Sequence, residues 1–178
     1  MNSIKQIEVL LADRLVGRLA LTKEGLCAFE YAPDWLGSGF SISPFELPLR
    51  SGVFIAKPRP FEGGFGVFDD CLPDGWGLLI LDRYLQQKGI NPRALTLLDR
   101  LALVGSSGRG ALEFRPDHSV VTRQDYADFE KLALEAERIL GSDEYRGKGI
   151  EEFQDRGGSP GGARPKIFAR YEGKEWLG

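Results

Sequence analysis

The chain has 178 residues, with 23 Lys and Arg against 26 Asp and Glu and a formal net charge of −3. That length fits one domain of ~150 residues, or one and part of another, and 42% hydrophobic with 28% charged residues excludes global disorder. No apolar run approaches ~18 residues, which excludes a membrane-spanning helix, and mild acidity argues against direct nucleic-acid binding, which draws on clustered Lys and Arg.

Residues 4–31 read as a β-meander. Strands are expected over 4–11, 15–21 and 26–31, broken at Ala12-Asp13-Arg14 and at Thr22-Lys23-Glu24-Gly25. Those loop lengths suit hairpins. In residues 32–68, Pro33, Pro44, Pro48, Pro58 and Pro60 forbid a long helix. Gly63-Gly64-Phe65-Gly66 reads as a turn with aromatic packing rather than a nucleotide loop.

A helix is expected from Pro73, capped by Asp69 or Asp70. Trp76, Leu79, Ile80, Tyr84 and Leu85 recur at helical spacing, and Gly89 is placed to end it. Asn91-Pro92 is expected to start a second helix through Leu95, Leu98, Leu101 and Leu103. Gly105–Gly110 reads as a loop, and residues 111–114 as a strand returning to the sheet. Residues 124–140 form an amphipathic pattern with Phe129, Leu132, Leu134, Ala136 and Ile139 apolar, closed by Gly141. A polar, Gly-rich stretch follows from Gly147. Then come a strand over 167–171, a turn at 172–174 and the start of a partner strand. A hairpin with one short arm is a poor ending, so a longer protein is expected. Phe29, Tyr31, Phe45, Phe68, Trp76 and Phe114 are the expected core.

Two Cys (Cys27, Cys71) and one His (His118) are a poor stock of metal ligands. His118 reads as a solvated loop residue and the cysteines as reduced and partly buried. No metal site is expected. The opening residues lack an apolar signal-peptide core, so a cytoplasmic location is expected.

The segment that carries chemistry is Gly157-Gly158-Ser159-Pro160-Gly161-Gly162-Ala163-Arg164-Pro165-Lys166. Closely spaced glycines let backbone N–H groups approach an anion, and Arg164 and Lys166 add positive charge. A Gly-rich segment followed by a strand is the order of kinase-type nucleotide loops. The Walker pattern is absent, because Ala163 and Arg164 stand where Lys and Ser/Thr are needed. Spacing alone leaves two readings open, a phosphate loop and a flexible connector. Ser159 is likewise either a turn hydroxyl or a modification site, where phosphate would add about two negative charges beside Arg164 and Lys166.

Several stretches, in order, resemble the HipA family of serine/threonine kinase toxins: Val16-Gly17-Arg18-Leu19; Phe29-Glu30-Tyr31 with Trp35-Leu36; Pro44-Phe45-Glu46-Leu47-Pro48-Leu49; Phe68-Asp69-Asp70-Cys71-Leu72-Pro73-Asp74-Gly75-Trp76-Gly77 with Leu81-Asp82-Arg83; Gly105-Ser106-Ser107-Gly108-Arg109-Gly110-Ala111-Leu112; and the Gly-rich segment. The resemblance implies ATP- and Mg²⁺-dependent phosphorylation of a protein, of the aminoacyl-tRNA synthetase class, causing growth arrest in a bacterium. It implies a HipB-like DNA-binding antitoxin as partner. It places Ser159 on the family's autophosphorylated loop serine, and Gly161, Gly162, Ala163 and Lys166 on its ATP-contacting loop.

The family's strand Lys, catalytic Asp and metal-binding residues lie downstream of the matching part. This chain alone is therefore expected to hold no catalytic residue, to bind ATP and Mg²⁺ without tight affinity, and to transfer no phosphate. Asp69, Asp70 and Asp74 are read as capping residues. The expected fold is α+β: a small antiparallel sheet with helices on one side, then a long helix and the first hairpin of a kinase-like N-lobe. The expected division is a HipA-type N-terminal subdomain (1–118), a connecting helix (119–145), and the Gly-rich loop with the start of the N-lobe (146–178). The alternative function is a non-catalytic interaction module that binds and regulates a separate kinase core or antitoxin.

Overall fold

A computed structural model describes residues 3–108, 110–119 and 129–142, with Ile150, Phe153, Gly162, Arg164, Pro165, 170–172 and 175–177. The chain divides into two units, residues 1–72 with 95–119, and residues 73–94 with 120–178.

The first unit is built on a five-stranded antiparallel sheet. Strands β1 (Gln6–Leu11), β2 (Arg14–Leu21) and β3 (Cys27–Tyr31) form the expected meander. A fourth strand, β4 (Val53–Ile55), and a fifth, β5 (Leu112–Arg115), complete the order β4-β3-β2-β1-β5. The period-2 pattern sends Ile7, Val9, Leu19, Phe29 and Tyr31 into one core, and Val16, the residue skipped in the β1–β2 register, joins them. A bulge between Val9 and Leu10 shifts the β1–β2 register. The β5 strand returns beside β1, with Phe114 opposite Val9. Strand β4 has no signature in the sequence. It is three residues long, with Gly52 before it and Pro58 soon after, too short to display a period.

Short helices close the core face. Pro33 starts α1 (Pro33–Ser38), which buries Trp35, and the Trp35 Nε1–H donates to the Phe40 carbonyl at 2.9 Å. Helix α2 (Gly66–Asp69) presents Phe68, whose ring meets Phe29 and Phe114 at 5.5 and 6.4 Å. Each such ring contributes about 1.5–3 kcal/mol by leaving water. The expected helix from Pro92 is split. Pro92–Ala94 is a single 3-10 turn, and α4 (Leu97–Val104) starts afresh at Thr96. Thr96 Oγ1 accepts from Asp99 N while Asp99 Oδ2 accepts from Thr96 N, a capping box that fixes the new start. Asp99 Oδ1 also accepts from Ile4 N at 3.0 Å, which ties the entry of β1 to α4.

Five of the six expected core residues are buried. The exception is Phe45, which is fully exposed. The reason is local: a bridge pairs Ser43 with Leu47, and the turn between them puts Leu47 inside and Phe45 outside. The Tyr31 hydroxyl donates to the Leu47 carbonyl at 2.6 Å and holds that turn down. Trp76 is buried in the second unit, to which residues 73–94 belong.

In the second unit, α3 (Gly75–Gln87) starts after Asp74, not after Asp69 or Asp70, and Asp70 instead ends α2. Asp74 holds the N-cap position by its backbone and makes no side-chain cap bond. The helix ends as expected: Gly89 N donates to Gln86 O and Ile90 N to Leu85 O, with Gly89 at φ +73°. Helix α5 (Phe129–Gly141) buries Leu132, Ala136 and Ile139 against Trp76 and Ile80, with Ile150 and Phe153. The expected start over 124–128 lies outside the described residues. Leu134 is exposed, because it sits two positions off the buried i, i+4, i+7 stripe. A hairpin of β6 (Arg170–Glu172) and β7 (Glu175–Leu177) pairs Tyr171 with Trp176.

Candidate functional site

The Gly-rich segment is described at Gly162, Arg164 and Pro165. Ser159, Gly161, Ala163 and Lys166, the other candidate positions, lie outside the described residues. The Gly162 carbonyl accepts a hydrogen bond from the Trp76 backbone N–H at 2.9 Å. Trp76 is the second residue of α3, so its N–H is one of the donors that a helix start leaves without an internal partner. Gly162 meets that need. Gly162 has φ +82°, a left-handed conformation that a β-carbon penalises. Gly162 and Arg164 are exposed, and Arg164 offers a forked donor of the kind that binds phosphate bidentately.

The helix under this anchor is held firmly. The Trp76 ring meets Phe153 edge-on at 5.2 Å. Further along α3, the buried Arg83 donates from its guanidinium to the carbonyl of Ile139. Ile139 lies in the last turn of α5, where carbonyls lack helical partners and a cation is favourable. Arg83 thus stabilises α5, and its place in the Leu81-Asp82-Arg83 stretch has a packing cause.

The start of the Gly105–Gly110 loop is tied down by Asp117. Asp117 accepts from Ser106 N at 3.0 Å, Ser106 Oγ at 2.6 Å and Ser119 N at 2.8 Å. Partial burial pushes the Asp117 carboxyl up, but these hydrogen bonds outweigh it and hold the carboxyl below its usual range. A β-carbon at Gly105 (φ +52°) would lie 1.8 Å from Asp117 Oδ1. Asp117 is not among the candidates singled out from the sequence; the Asx-turn pattern of Asp117-His118-Ser119 is the signal that points to it. His118 is exposed.

Partial burial, then the neighbouring Asp70 and Glu62 charges, raise the Asp69 carboxyl. Among the described residues, no group of three or more His, Cys, Asp or Glu is placed to hold a metal ion. Cys27 and Cys71 are free, and burial pushes both thiols up to about 11. Among the described residues no helix is long and apolar enough to cross a membrane.

The family model of the HipA N-terminal domain matches residues 7–115. The chain belongs to the HipA family. The matched stretch runs from the meander through α3 to β5, and so takes in the Leu72–Gly77 turn that supplies the Trp76 anchor. One similar solved structure is a chain of the Shewanella oneidensis MR-1 toxin–antitoxin complex of HipA, HipB and its operator DNA. It matches with a TM-score of 0.57 and 24% identity over 96% of this chain. The α+β fold is therefore that of a HipA N-terminal portion. The present chain spans 37% of the length of that HipA-complex chain.

Proposed function

We propose that the chain is the N-terminal portion of a HipA-like serine/threonine kinase toxin of a type II toxin–antitoxin system, acting in the bacterial cytoplasm. In this reading the Gly-rich segment, with Gly161, Gly162, Ala163, Arg164 and Lys166, forms the edge that covers ATP phosphates. Ser159 is its autophosphorylated residue. The strand Lys, the catalytic Asp and the Mg²⁺ ligands come from polypeptide beyond the matching part, so the 178 residues alone transfer no phosphate. The substrate is a protein of the aminoacyl-tRNA synthetase class, and the partner is a HipB-like antitoxin.

The observation that carries this reading is the bond from Trp76 N to Gly162 O. It joins two family motifs distant in sequence and gives the Gly-rich segment a fixed anchor, which a free connector lacks. Calorimetry of the 178-residue chain with ATP and Mg²⁺ tests it, together with radiolabelled phosphate transfer by a longer reading frame that includes the chain. The expected results are no micromolar binding by the chain alone and labelling of Ser159 in the longer protein. A longer protein that binds ATP but leaves Ser159 unlabelled sinks the assignment.

A second reading is a non-catalytic module that regulates a separate kinase core or antitoxin. The self-contained core of the first unit supports it. Capture of a separately encoded kinase core by the 178-residue chain, with a change in that kinase's rate, would favour this reading.

A further inference from the structure

The five-stranded sheet ends at β4, which pairs with β3 on one side; among the described residues no strand pairs on the other. Ala56 N donates to Cys27 O at 2.8 Å. Antiparallel strands alternate, so the polar backbone groups of Phe54 face β3 and those of Val53 and Ile55 face the open side. The same two residues carry exposed side chains, 57% and 61%, while Phe54 enters the core. Open edges are usually blunted by charge or proline within the strand. Here three uncharged residues, two of them bare and β-branched, form the edge.

Cations bracket it. Arg50 lies before the strand, Lys57 and Arg59 after it, and all three are exposed. The Arg50 guanidinium sits over the Phe54 ring at 4.5 Å, which fixes positive charge at one end. A second copy of this chain is a poor occupant. Antiparallel pairing centred on Phe54 sets Lys57 opposite Ser51 of the other copy, next to its Arg50, and so collects like charges at both ends. Glu30, opposite Val53 on β3, is exposed on the outer face, so added acidic residues are unwelcome at the middle.

We propose that the open side of β4 is a docking edge for an extended polypeptide segment whose alternating apolar residues pack beside Val53 and Ile55 and whose acidic ends meet Arg50, Lys57 and Arg59. Main-chain hydrogen bonds give affinity, and the charged ends select the partner. This inference stands apart from the kinase reading.

The probe is a blocked peptide, Asp-Glu-Val-Thr-Val-Thr-Glu-Asp, with a control in which Lys replaces each acid. Fluorescence anisotropy and amide hydrogen exchange on the full chain are the readouts. The acidic peptide is expected to slow exchange at Val53 and Ile55 about tenfold or more, and the Lys peptide to bind at least about tenfold more weakly. Lys57→Glu with Arg59→Glu should reverse that preference. Ile55→Pro removes an outward-facing donor at an edge, where proline is tolerated, and should abolish the protection. Should Ile55→Pro fail to fold, the charge-reversal pair still decides. Equal binding of both peptides, no binding at millimolar concentration, or protection elsewhere overturns the proposal. So does sedimentation showing that the chain dimerises through the same two amides.

Discussion

The Trp76 backbone N–H donates to the carbonyl of Gly162 at 2.9 Å, and Gly162 meets it with φ +82°. The bond depends on a conformation that other residues resist. Gly162→Ala is expected to cost about 1–2 kcal/mol of local stability. Hydrogen exchange at the Trp76 amide measures this directly. Faster exchange there, with β1 and β2 unaffected, is the expected outcome; an unchanged Trp76 amide contradicts the anchor.

Two glycines separate backbone strain from collision. Gly25 has φ +80° and a β-carbon there would meet nothing within 4 Å, whereas at Gly105 it would lie 1.8 Å from Asp117 Oδ1. Gly25→Ala is expected to cost about 1 kcal/mol, and Gly105→Ala about 3 kcal/mol or more. Urea unfolding of both variants checks the order, and equal losses would show that the Asp117 contact is dispensable.

Asp99 binds Ile4 N, Thr96 N and Thr96 Oγ1 with one carboxylate. Asp99→Ala is expected to cost about 2–3 kcal/mol, since it leaves partly buried donors unpaired and removes a cap interaction. Burial pushes the Asp99 carboxyl up, but the hydrogen bonds from Ile4 and Thr96, helped by His118, win and lower it. Its folded value is thus below the unfolded value of ~3.9, so its stabilisation is complete above ~3.9 and is lost as pH falls through the folded value. Asp117 shifts the same way and adds to the same acid-side loss. Circular dichroism across pH 2–6 should show a shallower acid transition for Asp99→Asn than for the parent chain; an identical slope refutes the assignment.

Phe45 and Leu47 are neighbours with opposite surroundings, one fully exposed and one fully buried. Phe45→Ser is expected to change stability by less than about 0.5 kcal/mol, and Leu47→Ala to cost about 2–5 kcal/mol. Thermal unfolding distinguishes the two, and a large loss for Phe45→Ser would mean that its ring is covered.

Buried thiols pushed up to about 11 hold little thiolate near neutral pH. At pH 8, Cys27 and Cys71 should resist a thiol reagent in the folded protein and react in guanidinium. Rapid labelling without denaturant argues against the described burial.

The meander was readable because alternation survives in any strand with one buried face, as in Cys27–Tyr31. Gly89 and the α5 stripe were readable for a similar reason, since helix ends and amphipathic faces are local chemistry. The Thr96-x-x-Asp99 break is hidden because Leu95 before it and Leu98 and Leu101 after it keep a helix-like spacing. Of the candidate site, the glycines and Arg164 could be named, while the anchor on Trp76 could not.

By itself, then, the chain's order of residues determined the β-meander, the helices α3 and α5, the bulk of the core and the family to which it belongs. These follow from period, turn residues and motifs acting over a few positions. Only tertiary structure decided that Phe45 faces water, that α3 packs with α5, and that Gly162 caps a helix start. Those outcomes depend on which distant group satisfies a backbone donor or covers an apolar face, and such pairing leaves no mark on neighbouring residues.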